Sequence, residues 1–211
     1  VVTTVLPAGR WISRCVVTTQ HSPGLVFLHD PHSLAAQAYR VLRTSLYRTL
    51  PSPRSVLVTS AEVGAGKSSV TANLGISLAQ LDHSVLLVDA DLRRPVLHTL
   101  LRVPNVLGLS SYLAGTTPLE AVVARTSVPN LFLLPCGPTP PNPSDILSFR
   151  RMRELLQAVT EHYDLVLLDS PPVLVASDAT TLAPLVDGTL LVVGNQVPEA
   201  VVRRAKEQLE A

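Results

Sequence analysis

The sequence predicts an α/β domain: a mainly parallel sheet covered by helices on both faces. Three observations predict it. Around Ser55–Ser69 an apolar run enters a turn of small residues and then a stretch with helical spacing. Two further stretches, Ser84 to Asp91 and Asp164 to Pro172, each contain four apolar residues that lead directly into an aspartate, Asp89 and Asp169. Such unbroken runs suit strands buried on both faces rather than one. Strand-like and helix-like segments alternate along the chain without an internal repeat, which favours parallel strands joined by crossing helices.

The elements follow in order. Residues 1–30 mix β-prone runs (Val1 to Val5, Cys15 to Thr19) with breakers at Pro7, Gly9, Pro23 and Gly24, and are expected to be an N-terminal arm or linker. The domain proper is expected over 31–211. His29 and His32 flank Pro31 with no further ligand nearby, so zinc is not expected there. Ser33 to Leu50 reads as a helix, capped by Ser33. Its apolar stripe is Leu34, Ala38, Val41, Leu42 and Leu46, and a second, polar side carries Gln37, Arg40 and Arg43. Pro51 and Pro53 end it. Val56 to Thr59 is a buried strand and Val70 to Leu81 a helix. Ser84 to Asp91 is a strand, and Val96 to Arg125 reads as short helices broken by Pro104, Gly108, Gly115 and Pro118. Asn130 to Leu134 is a strand. The proline-rich stretch 135–145 is expected to be a rigid loop walling the active site. Ile146 to His162 is a helix, Asp164 to Asp169 a strand, Asp178 the start of a short helix, Asp187 to Val193 a strand and Pro198 to Ala211 a charged helix. One more strand is expected to follow it.

The stretch Ala61-Glu-Val-Gly-Ala-Gly-Lys-Ser-Ser69 carries the chemistry. Strand, small-residue turn and helix are the context of a phosphate-binding loop, and predict a P-loop NTPase. Backbone N–H groups would wrap the anion, helped by the positive end of the helix. Gly64 and Gly66 permit the backbone angles, with Ala65 between them. Lys67 would bridge the β- and γ-phosphates, Ser68 would bind Mg²⁺, and Ser69 continues the cradle. Ala61 stands where the pattern usually has glycine. Asp89 and Asp91 end one strand and Asp169 another, at the carboxyl edge where open parallel sheets bind ligands. Acids so close together repel unless a cation joins them.

Bulk properties exclude several classes. The 211 residues suffice for one domain with a large core, and 46% of them are apolar. A net charge of +1 leaves no basic excess for nucleic acid. Cys15 and Cys136 form neither a metal pair nor a disulfide framework. No apolar run reaches membrane-spanning length, and no signal peptide is evident. The chain begins at Val1 and its only methionine is Met152, so it is expected to be a piece of something longer.

The sequence resembles the bacterial tyrosine kinases of capsular and exopolysaccharide synthesis and the cytoplasmic domains of chain-length regulators, within the MinD/ParA-like group of deviant Walker A proteins. The resemblance covers about 28–209. It rests on Ala-Tyr-Arg-Val-Leu-Arg-Thr (38–44), the phosphate loop, Leu-Leu-Val-Asp-Ala-Asp-Leu-Arg-Arg-Pro (86–95), Gly-Pro-Thr-Pro-Pro-Asn-Pro-Ser (137–144) and Leu-Leu-Asp-Ser-Pro-Pro-Val (167–173). It implies an ATP- and Mg²⁺-dependent tyrosine kinase. Lys67 would bind phosphate, Ser68, Asp91 and Asp169 would form the metal shell, Asp89 would take the tyrosine proton, and Arg93 would stabilise charge. It also implies a cytoplasmic place at the inner face of the plasma membrane, through a membrane chain-length partner or a fused upstream segment. Self-association would run through Gln37, Arg40 and Arg43. Three departures stand out: the loop lacks the usual Pro-Gly-Glu-Gly-Lys, Gln37 replaces a glutamate, and no tyrosine cluster lies near Ala211.

Two other functions compete: a partitioning or positioning ATPase, and a nucleotide-bound regulatory module with little turnover. Glu62 argues against the first, because that class carries a second lysine there. No guanine-recognition motif appears, since Asn195-Gln-Val-Pro198 lacks the carboxylate.

Overall fold

The computed structural model describes residues 2–6, 24–147, 149–194 and 196–210. The run Cys15 to Thr19 lies outside them, as does Asn195. Seven strands form one sheet: β1 (Val2–Leu6), β2 (Ser55–Ser60), β3 (Val85–Asp89), β4 (Ala124–Arg125), β5 (Leu131–Leu134), β6 (Leu165–Asp169) and β7 (Gly188–Val192). Their order is β1-β7-β2-β6-β3-β5-β4. The five inner strands are parallel. The two edge strands, β1 and β4, are antiparallel.

Helices close both faces, as expected. They are α1 (Val26–His29), α2 (Leu34–Thr49), α3 (Lys67–Ala79), α4 (Leu97–Leu101), α5 (Leu109–Leu113), α6 (Leu119–Val122), α7 (Pro143–Ile146), α8 (Phe149–His162), α9 (Asp178–Leu182) and α10 (Glu199–Glu210). Alternate strand residues serve opposite cores. Val56, Val58, Val85 and Leu87 pack with α2 and α3 on one side. Leu57, Leu86, Val88 and Leu168 pack with α8 and α9 on the other. With both faces covered, the strands need no polar side, which explains their continuous apolar runs.

The arm expected over 1–30 is packed into the domain from Gly24 onward. Leu25, Val26 and Phe27 are buried. Asn73 on α3 accepts from Val26 N at 2.8 Å and donates to Gly24 O at 3.2 Å. Burial of Phe27 against Tyr39, with ring centroids 6.3 Å apart, outweighs the local breakers. β1 fills the sheet edge beside β7.

The α2 stripe also differs from expectation. Its buried residues are Ala36, Tyr39, Leu42 and Leu46, whereas Leu34 is 84% and Val41 57% exposed. Both stripes have helical spacing, and only the position of α3 selects between them. The polar side is divided too. Gln37 is exposed. Arg40 donates to Pro31 O at 2.8 Å and lies over the Phe27 ring. Arg43 donates to Ser77 O and, at 3.1 Å, to Ser77 Oγ on α3. These arginines are engaged within the chain, so Arg43 ties α2 to α3. Arg43→Ala should therefore cost about 1.5–3 kcal/mol, typical of hydrogen bonds to a charged donor. Thermal melts at low protein concentration, where self-association plays no part, measure this. An unchanged melting temperature would show that the tie contributes nothing.

Candidate functional site

The turn between β2 and α3 forms a cradle. Gly64 and Gly66 adopt φ of +82° and +87°, a region in which other residues are strained. A Cβ at either position would meet nothing within 4 Å, so the loop faces open space. Among the described residues, the N–H groups of Val63 to Lys67 meet no protein acceptor. Unpaired donors converging at a helix start suit an anion with several oxygens. The helix itself starts at Lys67 rather than Val70.

The carboxylates stand beside this cradle because of strand register. In the parallel pair β3 and β6, Asp89 lies directly opposite Asp169. Both are fully buried. Asp89 Oδ2 accepts from Leu97 N at 3.1 Å, at the start of α4. Its Oδ1 has no hydrogen-bond partner, and the Asp169 oxygens make none of good geometry, although the Ser68 and Thr71 hydroxyls lie close enough to favour the Asp169 charge. Asp91, just past the strand, accepts from Lys67 Nζ at 2.8 Å and from Arg94 N at 3.0 Å. Lys67 Nζ is also 4.0 Å from Asp169. Burial works against the Lys67 charge, yet Asp169 and Asp91 more than offset it and raise the lysine's pKa. Burial pushes Asp89 well up, Asp169 adds to this, and the Leu97 N–H opposes it.

Asp169 is driven up to about 6 by burial, with Lys67 the chief opposing charge. An unfolded aspartate titrates near 3.9. Between those values the folded state holds the extra proton, so this group's stabilising contribution is complete below about 4. It is lost as pH rises through about 6. Without nucleotide or Mg²⁺, the urea midpoint should fall between about pH 4 and pH 6, and Asp169→Asn should flatten that slope. An identical slope in the variant would count against it.

Two clefts meet at the loop. One, of about 450 Å³, is lined by Lys67, Ser68, Asp91, Arg93 and Arg94, with an apolar rim of Val63, Val96 and Val175. Pro171 and Pro172, which follow β6, form its other wall. The second, of about 500 Å³, is lined by Glu62, Val63, Gly64, Ala65, Gly194, Gln196 and Val197. The structure thus gathers Gly64, Gly66, Lys67, Ser68, Ser69, Asp91 and Arg93 at one cleft, with Asp89 and Asp169 buried among the strand tips. Among the described residues, the proline-rich loop expected as a wall lines neither cleft. It clasps the turn before α5 instead: Leu109 N donates to Pro135 O at 2.7 Å, and Gly137 N to Asn105 Oδ1 at 2.7 Å.

A model of the AAA domain matches residues 54–196. The tyrosine-protein kinase YwqD of Bacillus subtilis is 37% identical over 188 residues, which span 88% of this chain and 79% of YwqD. This chain belongs to the bacterial tyrosine-protein kinase family. The solved kinase domain of Escherichia coli ETK superposes with a TM-score of 0.85 at 36% identity, over 91% of this chain and 77% of that one. Against the full Etk sequence, the matched region is 24% of the length. The MinD septum site-determining protein of Pyrococcus horikoshii, solved with Mg-ADP, shares the fold over 56% of this chain, at 32% identity and a TM-score of 0.51.

Sequence inspection missed part of this kinase cleft. The rim valines and Arg94 carry no motif. Asp178 was visible only as a helix start, yet it is buried and its Oδ2 accepts from Arg93 Nε at 3.2 Å. The acids do suit Mg²⁺. Among the described residues no three acidic, histidine or cysteine side chains converge into a self-sufficient metal cage. Mg²⁺ commonly keeps its waters and takes one or two carboxylates plus substrate phosphates. The buried Asp169 carboxylate and the neighbouring Asp91, both within 4.0 Å of Lys67 Nζ, supply such acceptors.

Proposed function

We propose that this chain transfers the γ-phosphoryl group of ATP to tyrosine hydroxyls of a capsule or exopolysaccharide system. The observation that carries it is the buried cluster of Lys67, Asp91 and Asp169 beside a loop of unpaired N–H groups. The loop N–H groups and Lys67 hold the phosphates. Ser68, Asp91 and Asp169 hold Mg²⁺, which when bound neutralises phosphate charge and orients the transfer. Asp89 takes the proton from the attacking hydroxyl, and its raised pKa favours that. Arg93 stabilises charge in the cleft. The base of the nucleotide takes the second cleft, lined by Gly194, Gln196 and Val197.

None of the four tyrosines is exposed: Tyr39 is buried, and Tyr47, Tyr112 and Tyr163 are half-buried. Burial raises the Tyr39 hydroxyl to about 12. The acceptor is therefore a tyrosine outside these positions. Incubated with Mg²⁺-ATP and a synthetic glutamate–tyrosine polymer, the chain should phosphorylate the polymer, hydrolyse ATP slowly and modify itself little. Mass spectrometry decides. Unmodified polymer, or heavy phosphorylation of Tyr39, Tyr47, Tyr112 or Tyr163, would overturn the proposal.

No described helix is long and apolar enough to cross a membrane. Attachment to the inner face of the plasma membrane would come from a chain-length partner or a fused segment. Self-association would use the outer side of α2, where Gln37 lies between the exposed Leu34 and Val41. Gln37→Glu should shift light scattering toward the larger species across a concentration series, and no shift would place the contact elsewhere.

A further inference from the structure

Arg93 lies on the bend after β3, and its side chain is 44% exposed. Such an arginine samples many rotamers unless something holds it. The Asp178 side chain is 1% exposed and accepts from Arg93 Nε at 3.2 Å. Asp178 opens α9, whose Ala179 and Leu182 are fully buried against the sheet. The preceding loop is pinned as well: Thr59 Oγ1 donates to Pro171 O at 2.8 Å, and Val173 N to Ser60 O at 2.8 Å. The carboxylate is thus the fixed partner and the arginine the held one.

We propose that Asp178 is a positioning residue that aims Arg93 across the cleft at the transferring phosphoryl group. An arginine gripped at Nε keeps its planar fork in one orientation, with the opposite edge turned away from the carboxylate. Arg93 and Val96 line one wall of the cleft, and Pro171, Pro172 and Val175 the other. The pair therefore joins the tip of β3 to the segment that follows β6. Pre-placed charge matters most where charge spreads in the transition state, so its loss should spare ground-state binding.

The inference rests on the nucleotide reading of this cleft. The test is equilibrium binding of Mg²⁺-ADP with and without aluminium fluoride, a mimic of the transferring phosphoryl group. Asp178→Ala and Arg93→Ala should each weaken the fluoride complex about tenfold, with ADP affinity within about twofold of wild type. The double variant should lose no more than either single one, because both remove the same aimed guanidinium. Asp178→Glu should recover part of the loss. Circular dichroism confirms that each variant is folded. If Asp178→Ala unfolds, Asp178→Asn carries the comparison: its amide removes the charge of the Asp178 grip on Arg93, so fluoride affinity should still fall. Equal losses for ADP and the fluoride complex, additive losses in the double variant, or no loss would overturn the inference while leaving the kinase reading intact. Failure of the wild type to bind Mg²⁺-ADP would overturn both.

Discussion

Lys67→Met should lower the affinity for Mg²⁺-ATP by about a hundredfold or more, the equivalent of one or two charge-assisted hydrogen bonds. The loop N–H groups would remain, but no side-chain cation would face the phosphates from the cradle. The structure adds a consequence that ligand binding alone would not require. The Lys67 side chain is only 12% exposed and is the charge that offsets Asp91 and Asp169. In the variant those carboxylates lose their counter-ion, and Asp169 should titrate above its present value of about 6. A buried acid takes up a proton more readily than it unfolds a domain, so the variant should remain folded. It should be less stable at pH 8 than at pH 6, by a wider margin than wild type. Calorimetry and melts measure the two effects separately. Equal ATP affinities would remove Lys67 from the site, and equal pH margins would remove it from the charge balance.

Asp89→Asn should lower phosphoryl transfer about a hundredfold or more, since an amide cannot accept the tyrosine proton. It should also make the free protein more stable, by about 1 kcal/mol. Asp89 faces Asp169 across the sheet with both carboxyls buried, so neutralising one relieves repulsion and desolvation together. The asparagine carbonyl can still accept from Leu97 N, which keeps α4 in place. Asp169→Asn should be stabilising for the same reason but should act on activity through weaker Mg²⁺ retention, so that excess Mg²⁺ partly restores transfer. Recovery of Asp89→Asn by excess Mg²⁺ would merge the two roles, and a lower melting temperature in either variant would contradict the repulsion.

Much of the site could be read from the chain because its parts are local. A phosphate loop needs strand, turn and helix close together in the chain, and Val56 to Val70 contain all three. Asp89 and Asp169 each end an apolar run, and parallel strands deliver their C-terminal residues to one edge. The register that sets them face to face is a property of the sheet, and neither strand contains it alone.

What the sequence alone determined, then, was the strand–helix alternation, the cradle and the acids at the strand tips. Their causes are short-range: backbone angles open to glycine, apolar runs and turn chemistry. The tertiary structure decided which stripe of α2 is buried, because Ala36-Tyr39-Leu42-Leu46 and Leu34-Ala38-Val41 are equally helical until α3 covers one of them. It decided that Gly24 to Asp30 belong to the domain and that Arg40 and Arg43 bind inward. It tied the start of the proline-rich loop to the turn before α5. It also joined Arg93 to Asp178, 85 positions away. Contacts at that separation come from sheet order and helix packing, and no periodicity within one segment encodes them.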